Sequence, residues 1–148
     1  MDLTKDVPRS PYERLGGIVF LPRAIDKGRA DLQGKLGDYL SRTGFSEVLL
    51  DFLGLSVDGF LDALRERETD EQVLEWVSSN MTARSADEIE EFNRAFIDRT
   101  PQNEEEWERY RSFLAEIGQS HRTDITRQFD RLDLDEGREV PQGGRRTY

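Results

Sequence analysis

Apolar positions recur along this chain at helical spacing and almost nowhere in alternation. Over residues 18–37, Ile18, Leu21, Ile25, Gly28, Leu32 and Leu36 fall on one helix face, and Gly28 on that stripe marks a close approach by a neighbour. Val48, Leu49, Phe52 and Leu53 repeat the period, Gly54-Leu55-Ser56 interrupts it, and Val57, Phe60, Leu61 and Leu64 resume it, predicting two short helices that meet at a turn. Thr69-x-x-Gln72 and Ser85-x-x-Glu88 have the form of capping boxes. Each precedes an apolar set, Val73, Trp76 and Val77 in the first case and Ile89, Phe92, Phe96 and Ile97 in the second. Thr100-Pro101 reads as a cap followed by proline at a helix start, Glu104-Glu105-Glu106 suits the positive end of the dipole, and Trp107, Tyr110, Phe113, Leu114 and Ile117 share a face that Gly118 ends. Thr123 or Asp124 is placed to cap a last helix bearing Ile125, Phe129 and Leu132.

Near the start, Ser10-Pro11-Tyr12-Glu13 combines a serine cap, proline at the first helical position and a glutamate that closes the box, and Gly16-Gly17 stops the helix so begun. No segment sustains period-two alternation, and the β-branched residues are dispersed among charged helix formers. The expected fold class is therefore all-α, a single-domain irregular bundle of about six to eight short helices over residues 1–137. Residues 138–148, with Pro141 and Gly143-Gly144, read as a flexible C-terminal tail.

Composition narrows the function more than it names it. Only 35% of the 148 residues are apolar, which suffices for one core because they lie on stripes. A net charge of -10 opposes binding to phosphate backbones, so nucleic acid is not an expected partner. The Leu53-Gly54-Leu55-Ser56 turn resembles that of a helix-turn-helix. Its second helix, however, presents Asp58, Asp62 and Glu66 where base readers carry Arg, Lys, Asn or Gln. The chain has no cysteine, which removes disulfides and thiolate chemistry, and no run approaches the roughly 20 apolar residues of a membrane span. Its opening residues lack the apolar stretch of a signal peptide, so a cytoplasmic location without membrane contact is expected.

Charge is unevenly distributed. Residues 1–35 hold seven Lys/Arg and five Asp/Glu, net +2, leaving 14 and 26, net -12, for the rest. In the basic segment Arg9, Arg14, Arg23, Lys27 and Arg29 are candidate anion-binding residues, because guanidinium forks match carboxylates and phosphates bidentately. The ordinary alternative is a helix-surface ladder in which Asp26 pairs with Arg23 and Arg29, three residues to either side. Asp26 and His121, the single histidine, are the candidate proton carriers. A lone histidine without thiolates builds no zinc site. The acidic group Asp130, Asp133, Asp135 and Glu136 fails the calcium-loop spacing, and neither Gly16-Gly17 nor Gly34-x-x-Gly37 matches a phosphate loop or dinucleotide fingerprint. No metal or cofactor is expected, and the aromatic residues from Trp76 to Phe113 read as core.

The block Pro8-Arg9-Ser10-Pro11-Tyr12-Glu13-Arg14-Leu15-Gly16-Gly17, then Leu21-Pro22-Arg23-Ala24-Ile25-Asp26-Lys27-Gly28-Arg29-Ala30, resembles the opening of an uncharacterised bacterial family, domain of unknown function 5069. Arg122-Thr123-Asp124-Ile125 and Leu132-Asp133-Leu134-Asp135-Glu136-Gly137 resemble its close. The resemblance implies one small bacterial domain and supplies no catalytic residue. The expectation for function is a non-enzymatic protein-interaction module, acting on a protein partner or as a homodimer. The alternative is a binding or catalytic domain for a small phosphate or carboxylate held by the arginine cluster.

Overall fold

The structure is a computed structural model that describes residues 1–145. Seven helices and one two-stranded sheet make up the regular structure of the described residues, so the architecture is mostly helical. The chain divides into two compact units, Met1–Glu90 and Glu91–Tyr148.

In the first unit the Ser10 signal makes a turn, not a helix. Half of the box forms, with Ser10 N donating to Glu13 Oε2, but Ser10 Oγ accepts from Tyr12 N and Glu13 N closes a four-residue turn on the Ser10 carbonyl. The chain then enters a hairpin of β1 (Arg14–Leu15) and β2 (Ile18–Val19), paired Arg14 to Val19 and Leu15 to Ile18. Gly16 and Gly17, at φ 58° and 78°, supply the left-handed pair that a two-residue hairpin turn requires. Ile18 and Val19 are thereby taken from the expected helix, and α1 spans Leu21–Leu32. Phe20, at φ 73°, makes the left-handed step from strand to helix and is the one non-glycine residue with positive φ among those described.

Four further helices follow, α2 (Phe45–Leu53), α3 (Val57–Glu66), α4 (Asp70–Asn80) and α5 (Ala86–Ile97), the last running into the second unit. Gly54 at φ 70° ends α2, Ser56 caps α3 through the Gly59 N–H, and both capping boxes form as the spacing predicts. Gly28 sits where α1 meets α3. A Cβ there would lie 2.4 Å from Leu64 Cδ1, which explains a glycine inside a helix. Ile25, Leu49, Leu50, Leu53, Val73 and Val77 are sealed in this unit's core.

The second unit contains α6 (Glu104–Glu116) and α7 (Gln128–Asp135). Asn103, not Thr100, caps α6. Its side chain accepts from Glu106 N while Glu106 Oε2 takes the N–H of Gln102, the residue before the cap. The last helix starts at Gln128 because Asp124 is engaged elsewhere, by Arg122 and by the Gly143 N–H. Residues 138–145, read from composition as the start of a flexible tail, pack back on the unit. Val140 joins Tyr110, Leu114 and Ile125 in a buried cluster, and Arg138 and Arg145 both reach the fully buried Asp133 at 3.1 Å. The last three positions of that expected tail lie outside the described residues.

Candidate functional site

The five basic residues singled out in the sequence are divided among different partners within the first unit. Arg9 is a structural clamp. Its backbone N and Nε donate to Asp26 Oδ2 at 2.9 and 3.0 Å, Nη2 reaches Asp26 Oδ1 at 3.0 Å, and the outer nitrogens grip Asp70, at the start of α4, at 2.6 and 3.2 Å. The Arg9 hydrogen bond holds the Asp70 carboxyl below its ordinary range. Asp26 therefore belongs to Arg9, in place of the ladder expected along α1. Arg14 makes a bidentate pair with Glu90 at 2.9 and 3.2 Å, fixing the hairpin to α5. Arg29 donates Nη1 to the Arg67 carbonyl at 2.9 Å, tying α1 to the end of α3. The basic segment thus packs on acidic residues of α4 and α5.

Arg23 and Lys27 are placed differently. Both are buried, at 1% and 6% exposure, in a helix whose residues from Leu21 to Gly28 are all buried. The Arg23 guanidinium carbon lies 5.9 Å from the Phe20 ring centroid and 5.7 Å from that of Tyr39, and Lys27 Nζ lies 5.4 Å from Phe20. The left-handed backbone at Phe20 is what turns this ring under both cations, since α1 begins directly after it. Arg23 Nη1 also donates to the Arg9 carbonyl at 3.1 Å.

His121 is an exposed residue of the second unit, in the loop after α6, and its carbonyl accepts from Thr123 N. Of the acidic group on α7 and just after it, Asp133 and Glu136 both receive Arg138, and Asp130 accepts the Arg145 N–H. Among the described residues no three His, Cys, Asp or Glu side chains are grouped as a metal ion would require.

A groove of about 620 Å³, which sequence reasoning did not anticipate, opens in the second unit between α6 and the loop before α7. Trp107, Tyr110, Leu114 and Ile125 supply its apolar lining, and the exposed small residues Ser112 and Ala115 leave it open. Trp107 and Tyr110 meet edge to face with centroids 5.5 Å apart. Burial raises the Tyr110 phenol, whose O–H donates to the Arg127 carbonyl at 2.9 Å. Of the charged lining residues, Arg111 pairs with Glu104 and Arg122 with Asp124, whereas Glu108 has no ion pair among the described residues. The only sequence signal for this groove was the pair of small residues on an otherwise large-residue helix face.

A family model described as a domain of unknown function, DUF5069, matches residues 5–138, a span that takes in both units. No curated protein matches the chain.

Proposed function

We propose that this chain, which belongs to the family described as domain of unknown function DUF5069, is a non-enzymatic protein-interaction module whose partner offers an apolar anchor flanked by basic residues. The observation that carries this reading is the groove beside α6, apolar along its walls and bearing an unpaired carboxylate, Glu108. Apolar anchors in open pockets dominate binding energy, while charge on the rim selects partners by sign. The net charge of -10 attracts the same partners at longer range. The engagement of Arg9, Arg14 and Arg29 with groups of the chain itself argues against one joint anion site built from all five basic residues. A bacterial, cytoplasmic setting belongs to the same reading, supported by the family resemblance and the cysteine-free composition.

Replacing Trp76 by phenylalanine leaves Trp107 as the single indole reporter at the groove. Titration with a short amphipathic leucine/lysine peptide is expected to shift Trp107 emission to the blue. Glu108→Lys is expected to weaken that peptide about tenfold, through like-charge repulsion. Ala115→Trp, which fills the groove from an exposed position, is expected to abolish binding. A peptide that leaves Trp107 emission unchanged, or that Ala115→Trp binds as the parent does, contradicts the reading. Light scattering distinguishes the homodimer, which the peptide dissociates if a second copy occupies the same groove.

A further inference from the structure

Trp76, expected in the core, is only half-buried, and its side chain lines a pocket of about 420 Å³ in the first unit. One wall is a stripe of α4, where Gln72, Glu75, Trp76, Ser79 and Asn80 stand at the three- and four-residue steps of a single helix face. Glu66 and Arg67, at the end of α3, supply the other wall. The volume falls within the roughly 300–1,000 Å³ of small-molecule sites.

This lining is rich in acceptors. Glu75 has no ion pair or hydrogen bond among the described residues, and neither a ring nor a cation of those residues covers the Trp76 indole. Arg67 is drawn to α3, where its Nη1 donates to the Ala63 carbonyl at 3.4 Å and lies 4.0 Å from Glu66. With Glu66 and Arg67 set against each other, Glu75 is left as the excess charge. Asn80 turns its amide nitrogen back to the Trp76 carbonyl at 2.8 Å, so its Oδ1 remains an unused acceptor. No basic residue occupies the last turn of α4 to answer the negative end of its dipole.

We infer that this pocket binds a small organic amine in its cationic form, a primary ammonium carried on a short apolar chain. The ammonium meets the face of Trp76, tryptophan being the ring that attracts cations most strongly, and donates to the Glu75 carboxylate and Asn80 Oδ1. A carboxylate ligand would face Glu66 and Glu75 with like charge. The net charge of -10 concentrates organic cations around the chain. This site lies wholly in the first unit and does not depend on the groove beside α6.

The test uses the full chain labelled with nitrogen-15, with n-butylammonium chloride replacing sodium chloride at constant ionic strength so that general screening is held fixed. The amine is expected to move the Trp76 indole and Asn80 amide resonances saturably, with millimolar affinity. Glu75→Gln, a change at an exposed position, is expected to weaken the amine about fivefold. Trp76→Leu, followed at the Asn80 amide, is expected to weaken it at least as much, and if that variant does not fold the Glu75 comparison stands alone. Arg67→Gln removes a like charge from the wall and is expected to tighten binding about twofold. Equal affinity in the parent and Glu75→Gln overturns the site, as does the absence of saturable movement up to ~50 mM. Weaker binding in Arg67→Gln, or acetate bound at the same resonances in preference to the amine, overturns the ligand class.

Discussion

Arg23 is the largest fully buried side chain in the described residues, an unusual rank for an arginine. Its Nη1 satisfies the Arg9 carbonyl, and its stem fills the space beside Phe20. Truncation to alanine leaves both a cavity and an unmet acceptor, so Arg23→Ala is expected to cost about 3 kcal/mol in urea denaturation. An arginine in a solvent-facing ladder would lose under ~0.5 kcal/mol. The sequence shows Arg23 and Lys27 on one helix face, because spacing by four is local information. It does not show their burial, since hydrophobic periodicity finds the apolar stripe of a helix and is silent on what covers the other side. Nor does it show which carboxylate each arginine takes, for Asp70 and Glu90 lie 61 and 76 residues from Arg9 and Arg14.

Among the elements, α3, α4 and α5 were legible because their caps and apolar spacing are contained within a few consecutive residues. The hairpin was not, since strands of two residues are too short to display a period. Residues 138–145 depend on a different kind of information. Proline and paired glycines suggest mobility, whereas the contacts that hold this segment are non-local: Val140 in the cluster, the Gly143 N–H on Asp124, and Arg145 on Asp133. Asp124 links this segment to acidity. Its carboxyl is lowered from 3.8 to about 2, first by the Arg122 hydrogen bonds and next by the Gly143 N–H. A lowered folded-state pKa means that the contribution is complete above 3.8 and is lost as pH falls from there toward 2. Stability measured by urea denaturation across that window is expected to fall less steeply in Asp124→Asn than in the parent. An unchanged slope would assign the acid sensitivity to other carboxylates.

For the molecule as a whole, a net charge of -10 governs encounters before any groove or pocket is reached. The affinity of a leucine/lysine peptide for the groove is expected to drop severalfold between ~0.05 and ~0.5 M salt as charges become screened. The apolar anchor should preserve some binding at the higher concentration, and fluorescence titrations at the two ionic strengths separate the contributions. The two units also differ in how their buried charges are neutralised. In the first, Arg9 meets Asp26 and Asp70, residues of helices made after it. In the second, Asp133 is fully buried on α7, and the described arginines that pair with it, Arg138 and Arg145, follow it in the chain. At least two of the cations that neutralise this buried carboxylate therefore leave the ribosome after α7 itself.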